Sequence, residues 1–79
     1  MNYNFIDLFC GAGGLSYGFE KVGLNCLAGV DHFKNAIETF KINHKNSIGI
    51  DGDIRKISIK DFKKKIKNKK VHIVCGGPP

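Results

Sequence analysis

Apolar and polar positions follow two different patterns along the chain, and these patterns predict its secondary structure. Short, nearly continuous apolar runs are typical of buried strands, whereas apolar residues three or four positions apart indicate helices with one buried face. The apolar runs predict four strands, at Asn4–Phe9, Cys26–Val30, Ser47–Ile50 and Val71–Val74. The helical spacing predicts three helices between them, at Leu15–Val22, from His32 or Phe33 to about Asn43, and after Ser58.

Two of the predicted helices have an apolar face that can be read directly from the sequence. The face of the second helix is formed by Phe33, Ala36, Ile37 and Phe40. The face of the third is formed by Ile59, Phe62 and Ile66, which follow Ser58 as the expected N-cap residue. Both faces are expected to be buried.

Strands that alternate with helices predict an α/β fold with one parallel sheet and right-handed crossovers. If the first strand is central, strands two and three lie on one side of it and strand four lies on the other. A crevice then opens where the order reverses, at the carboxyl ends of strands one and four. We therefore expect Cys10–Gly14 to lie beside Cys75–Pro79, around a single pocket.

The most informative segment is Phe5–Gly14, FIDLFCGAGG, in which an apolar strand runs into a glycine-rich turn and then a helix. Such a turn brings backbone N–H groups and a helix N-terminus to one point, and glycine allows both the turn and the close approach of a ligand. The segment indicates a nucleotide-like cofactor. The alternative is a tight turn that binds nothing.

Two carboxylates follow later predicted strands and would face the same crevice. Asp31, 20 positions after Gly11, could accept hydrogen bonds from ribose hydroxyls, or it could cap the helix that follows. Asp53 could accept a hydrogen bond from an exocyclic amine, with Ile54 packed on a purine, or it could belong to an ordinary turn. His32 could pack on an adenine ring or simply begin a helix at the surface.

Composition and charge limit the classes of protein to which this chain can belong. The chain has 79 residues, 42% of them hydrophobic and 25% charged, which is typical of one small soluble domain. It has no secretory signal and no apolar run of the ~20 residues that a membrane span needs, so a cytoplasmic protein is expected. The net charge of +6 arises in Lys60–Lys70, which holds seven lysines and one aspartate. We interpret this segment as a solvated surface rather than a phosphate-binding one, because only Phe62 is available for base stacking.

The cysteines and histidines predict neither a disulfide framework nor a metal site. The number of cysteines is odd and their spacing is wide, since they stand at Cys10, Cys26 and Cys75. The histidines show no metal-ligand spacing, and they are His32, His44 and His72. Cys10 and Cys75 fall near the expected pocket, but thiols in apolar strands are usually inert packing groups.

Four ordered motifs resemble the N-terminal part of the DNA (cytosine-5)-methyltransferases. They are FIDLFCGAGGLSYGFE, AGVDHF, GDI and VCGGPP, and together they span nearly the whole chain. The resemblance implies the N-terminal part of a Rossmann-like methyltransferase sheet, with S-adenosylmethionine as cofactor and DNA with a flipped cytosine as substrate. It also implies the modification enzyme of a bacterial restriction–modification system. An NAD- or FAD-dependent oxidoreductase would share the fold, but Ser16 stands at the third glycine position of the dinucleotide motif and disfavours it.

The resemblance assigns roles to individual residues. Asp7–Gly14 is the S-adenosylmethionine loop, Asp31 contacts the ribose, and His32 packs on the adenine, where an aromatic residue is commoner. Asp53 contacts the adenine amine, with Ile54 beside it. The implied cofactor-binding residues are Asp7, Leu8, Phe9, Cys10, Gly11, Ala12, Gly13, Gly14, Asp31, His32, Asp53, Ile54, Gly77 and Pro79.

The resemblance also implies that the chain holds no catalytic residue. In the family a nucleophilic cysteine directly follows the Pro-Pro that corresponds to Pro78-Pro79, and Cys75 precedes that place. Residues 1–79 are therefore expected to form a partial cofactor-binding domain that is inactive alone, without the target-recognition region. Two alternatives stay open. One is a subunit of a split enzyme that a second chain completes, and the other is a basic nucleic-acid-binding module led by Lys60–Lys70.

Overall fold

The computed structural model describes residues 3–11 and 13–76, so Ala12, Gly77 and Pro79 of the predicted site lie outside the described residues. Within these ranges four strands alternate with three α-helices. In chain order the elements are β1 (Asn4–Leu8), α1 (Gly14–Lys21), β2 (Asn25–Asp31), α2 (Lys34–Asn43), β3 (Ile48–Asp51), α3 (Ile59–Lys65) and β4 (Ile73–Cys75), with a 3-10 turn at Ile54–Lys56 before α3. The predicted α/β class and the order of elements are confirmed.

The strands form one parallel sheet in the order β3-β2-β1-β4. β1 is central, with Asp7 paired to Gly29 of β2 on one side and to Cys75 of β4 on the other. The carboxyl ends of the four strands therefore lie at one edge of the sheet. The order reverses beside β1, as predicted, and this edge is where ligands bind in open α/β sheets.

The sheet separates two apolar clusters. One contains the fully buried Phe5 of β1 together with Phe40 of α2, and the other contains Ile6 of β1 together with Ile66, which follows α3. Since successive side chains of a strand point to opposite faces, Asp7 is on the same face as Phe5, under α1 and α2. Burial of each large apolar side chain contributes about 1.5–3 kcal/mol. The two clusters thus fix β1 between two layers of helix.

Two residues of the predicted apolar faces are exposed instead. Phe33 is 61% exposed because it precedes the first turn of α2 with an extended backbone, and its ring lies 4.2 Å from the ring of His32. Ile59 is 76% exposed at the start of α3, where it borders an open apolar cavity of about 340 Å³ with Ile6 and Val74. The predicted burial of these two side chains was wrong.

The lysine-rich segment lies away from the glycine-rich loop. Its seven lysines are all exposed, on α3 and on the stretch that leads to β4. Lys67 and Lys69 border a cavity with Leu27 and Ile48, near the amino ends of β2 and β3. This is the edge opposite the carboxyl ends, which supports the interpretation of a solvated surface. Within the two described ranges, no helix is both long enough and apolar enough to cross a membrane.

Candidate cofactor site

The glycine-rich loop between β1 and α1 is tightly folded and fastened to β2. The backbone has positive φ angles at Phe9 (58°), Gly11 (56°) and Gly13 (96°), which turn the chain from the strand into the helix. The N–H of Cys10 donates to the carbonyl of Val30 at 3.0 Å, and the N–H of Gly13 donates to the carbonyl of Cys10 at 3.0 Å. These hydrogen bonds hold the loop in one conformation at the carboxyl edge of the sheet.

Gly11 is the point at which the loop faces open space. A Cβ on Gly11 would meet no atom within 4 Å, so glycine is required there by the left-handed backbone and not by crowding. The N–H of Gly11 donates to Oδ2 of Asp31 at 2.8 Å. The N–H groups of Cys10, Gly11 and Gly13 thus all have acceptors within the protein. At these three described positions the loop therefore offers a ligand close backbone contact rather than free N–H donors.

Asp31 joins the loop to the start of α2. Its Oδ2 accepts from Gly11, and its Oδ1 accepts from the N–H of Phe33 at 3.1 Å. The helix-capping alternative is therefore partly right, although Phe33 and not Asp31 is the N-cap residue. Each carboxylate oxygen can accept a second hydrogen bond, so ribose hydroxyls can still be bound by this group. Contact with the ribose stays a prediction.

The loops that follow β1, β2 and β3 meet around one cleft. Its volume is about 350 Å³, and it is lined by Phe9, His32, Asp53, Ile54 and Arg55. A smaller cavity with many of the same walls brings in Asp31. The structure thus brings together residues of three separate sequence motifs. The half-exposed ring of His32 and the side chain of Ile54 offer the flat apolar surfaces that a purine needs.

Asp53 is engaged by its near neighbour Arg55. Its Oδ1 accepts from the backbone N–H of Arg55 at 2.9 Å, and its Oδ2 accepts from the guanidinium Nη2 at 2.8 Å. These hydrogen bonds hold the pKa of the Asp53 carboxyl well below its usual range. The turn alternative is therefore right in part, since Asp53 is the N-cap of the 3-10 turn. The Arg55 side chain is 85% exposed, so it is free to swing away from the carboxylate.

A second cavity lies between the carboxyl ends of β1 and β4. It has a volume of about 330 Å³ and is lined by Leu8, Phe9, Val74, Cys75 and Gly76. A Cβ on Gly76 would lie 2.1 Å from the carbonyl oxygen of Leu8, so the two segments are in close contact. The end of β1 just before Cys10–Gly14 thus lies beside Cys75 and Gly76, while the remainder of the expected neighbour, residues 77–79, lies outside the described residues.

Asp7 is buried beneath the loop rather than exposed to the cleft. Only 1% of the residue is exposed, and its Oδ2 accepts a 2.6 Å hydrogen bond from Oγ of Ser16 in α1. Its Oδ1 has no hydrogen-bond partner, and burial raises the pKa of the carboxyl. Asp7 therefore supports the start of α1 from below. Gly14, the first residue of that helix, is exposed.

The three cysteines are free thiols with suppressed acidity. Burial raises the pKa of Cys10 to about 12 and that of Cys75 to about 11, and it also raises the pKa of Cys26. The carboxylate of Asp7 adds to the effect at each of them. A thiol that remains protonated is a poor nucleophile. The prediction that Cys10 and Cys75 are inert packing groups agrees with their environment.

Two polar residues on the buried side of the loop, His44 and Glu20, were not predicted from the sequence to belong to the site. His44, the buried C-cap residue of α2, lies with Nε2 at 3.1 Å from the carbonyl oxygen of Gly13 and with Nδ1 against the carboxylate of Glu20 in α1. Its ring is stacked on Phe40, with centroids 4.5 Å apart. The place of His44 in the sequence could have indicated its burial, because His44 comes one helical turn after Phe40 on the buried face of α2.

Comparisons with known proteins identify the family to which the chain belongs. The model of the C-5 cytosine-specific DNA methylase family matches residues 3–79. A proposed type II methyltransferase of Methanocaldococcus jannaschii is 41% identical over 76 residues, which cover 96% of this chain and 24% of the relative. The type II methyltransferase M.NgoPII of Neisseria gonorrhoeae is 45% identical over 74 residues, which cover 94% of this chain and 20% of the relative.

A solved structure is similar over nearly the whole described fold. It is that of a prophage-encoded protein of E. coli with a proposed DNA modification methyltransferase activity, with a TM-score of 0.90 and 35% identity. The match covers 98% of this chain and 22% of that one, so the chain spans about a quarter or less of these similar proteins. The family predicted from the four motifs is confirmed: the chain belongs to the C-5 cytosine-specific DNA methylases, whose methyl donor is S-adenosylmethionine.

Proposed function

We propose that this chain forms the S-adenosylmethionine-binding part of a type II DNA (cytosine-5)-methyltransferase, the modification enzyme of a restriction–modification system. The whole enzyme would methylate C5 of a cytosine that is flipped out of double-stranded DNA, in the bacterial cytoplasm. The family match and the type II names of its relatives support this proposal.

One observation carries the proposal, namely that the loops after β1, β2 and β3 converge on one cleft and that Asp31 lines a smaller cavity that shares most of its walls. We propose that the open backbone around Gly11 contacts the methionine part of the cofactor and that Asp31 accepts from the ribose hydroxyls. His32 and Ile54 then enclose the adenine. Asp53 accepts from the adenine amine once Arg55 has moved aside.

The chemistry of the loop fits S-adenosylmethionine better than a dinucleotide. A dinucleotide carries a pyrophosphate, which such loops bind through free backbone N–H groups. Here the N–H groups of Cys10, Gly11 and Gly13 donate within the protein, and the acceptor of the Gly11 N–H is the carboxylate of Asp31. S-adenosylmethionine has no phosphate and carries a positive sulfonium. This environment therefore supports the methyl donor over NAD or FAD.

When bound, S-adenosylmethionine supplies the methyl group, and the residues of this chain orient it. We further propose that the 79 residues do not transfer that group by themselves. Covalent activation of cytosine requires a thiolate, and none of Cys10, Cys26 and Cys75 lies in an environment that favours one. The apolar surface around Ile59 and Val74, which no described residue covers, supports completion of the fold by further polypeptide.

Two measurements on the purified chain test this proposal. Calorimetric titration should detect binding of S-adenosylmethionine and of its demethylated product, and NAD should bind at least about tenfold more weakly. Equal or tighter binding of NAD would contradict the assignment. Incubation with DNA and labelled S-adenosylmethionine should leave cytosine unlabelled, and incorporation of label would refute the proposed dependence on another thiol.

A further inference from the structure

The imidazole of His44 connects three elements through two hydrogen bonds. Its Nε2 faces the carbonyl of Gly13, the N-cap residue of α1, and its Nδ1 faces Oε1 of Glu20 near the end of the same helix. The Gly13 carbonyl also accepts the N–H of Tyr17, which closes the first turn of α1. One buried ring therefore fixes both the loop and the direction in which α1 leaves it.

Counting protons on this ring restricts its ionisation state. The carbonyl of Gly13 can only accept, so Nε2 must carry a hydrogen. In a neutral imidazole Nδ1 would then be an acceptor, and its lone pair would point at a carboxylate of Glu20, which also accepts. Both hydrogen bonds of the ring can form only when a further proton lies between Nδ1 and the Glu20 carboxylate. The Glu20 side chain is 37% exposed to water, so its carboxylate can remain ionised opposite the ring, and this pairing offsets the cost of a charge on a His44 side chain that is only 2% exposed.

The surroundings of the ring favour the same state. The acidic groups that face it are Glu20 from α1 and Asp7 from β1, whose carboxyl is electrostatically coupled to the imidazole. On the side of α2 the ring is stacked on the apolar Phe40. A buried cation is tolerated when it is paired and fully hydrogen-bonded, and both conditions hold here.

We propose that His44 is a positioning residue of the cofactor loop, held by Glu20 as an imidazolium whose Nε2–H fixes the Gly13 carbonyl. The role in cofactor binding rests on the function proposed above. The ring thereby keeps the Gly13 carbonyl, and with it the first turn of α1, in the position that the proposed cofactor site requires.

Glu20→Gln provides a sharp test, because its amide can donate to a neutral Nδ1 and so preserve the arrangement without the extra proton. Nitrogen-15 NMR of the histidine side chains should find both ring nitrogens of His44 protonated at pH 7 in the unaltered chain. In Glu20→Gln only Nε2 should be protonated. Glu38→Gln, an exposed change on α2, is the matched control and should leave the state of His44 unaltered.

Cofactor binding and loop conformation supply the second readout. At pH 7, Glu20→Gln should bind S-adenosylmethionine within about threefold of the unaltered chain, because its amide can still donate to Nδ1 and hold the ring in place. His44→Phe, which keeps the stacking on Phe40, should shift the amide resonances of Gly11 and Gly13 and weaken binding by at least about tenfold.

Three results would overturn the proposal. They are a neutral His44 in the unaltered chain, the same protonation of His44 in Glu20→Gln, and unmoved loop resonances in His44→Phe. A chain that binds no S-adenosylmethionine at any pH would count against the proposed function. The ring protonation and the loop resonances are measured without cofactor, so they would still decide whether His44 fixes the loop.

Discussion

Gly11 and Asp31, twenty positions apart in the sequence, are joined by a 2.8 Å hydrogen bond from the glycine N–H to the carboxylate. The same carboxylate binds the N–H of Phe33, so one side chain fastens the loop after β1 to the start of α2. The residue proposed to bind the ribose therefore also sets the position of the loop. Changes at Asp31 affect the cofactor site in two ways at once.

Asp31→Ala should weaken binding of S-adenosylmethionine by about 1–3 kcal/mol, because charge-assisted hydrogen bonds to the loop and to the ribose are both lost. Calorimetric titration measures this change, with circular dichroism to establish that the variant is folded. Asp61→Ala, which removes an exposed carboxylate on α3, is the control and should bind normally. An unchanged affinity in a folded Asp31→Ala would limit this residue to helix capping.

Gly13→Ala should lower the free energy of unfolding by at least about 2 kcal/mol. The new Cβ would lie 2.4 Å from Nε2 of His44 and 2.9 Å from Cδ2 of Phe40, on a backbone with φ of 96°. Gly14→Ala is a matched control, because no atom lies within 4 Å of its added Cβ. That change should be neutral or stabilise the chain by up to about 1 kcal/mol. Urea denaturation compares the two, and similar stabilities would contradict the packing described here.

Asp7→Asn should alter the pH dependence of stability. Because burial raises the pKa of Asp7, this residue stabilises the fold most fully when it is protonated, at pH values below its ordinary pKa of 3.8. That contribution is lost as the pH rises through the higher pKa of the folded state. The stability of Asp7→Asn relative to the unaltered chain should therefore be greatest at pH 7 and should decrease toward pH 4. Denaturation curves at several pH values give the difference, and a constant difference would argue against a perturbed Asp7.

Arg55→Ala should strengthen cofactor binding modestly, by no more than about fivefold, because the carboxylate of Asp53 no longer has to exchange its guanidinium partner for the adenine amine. Lys56→Ala removes an adjacent exposed cation and serves as the control. Titration with S-adenosylmethionine distinguishes the two variants. Weaker binding in Arg55→Ala would mean that the guanidinium itself contacts the cofactor.

The sequence predicted the order of strands and helices and the topology of the sheet, because the apolar periodicities are strong and a parallel sheet with right-handed crossovers allows few arrangements. It also predicted that the segments around Gly11, Asp31 and Asp53 meet. It did not predict the exposure of Phe33, because helical spacing does not reveal which residue precedes the first turn. The hydrogen bonds of His44 were equally hidden, since its partners are a backbone carbonyl and a side chain 24 positions away.

The sheet order has a consequence for how the cofactor site is encoded. All five residues that line the main cleft come from the loops after β1, β2 and β3, within a single stretch from Phe9 to Arg55. The walls of this cleft are therefore encoded by one continuous segment of the chain, and a substitution elsewhere can alter them only through the packing of the sheet and helices beneath them.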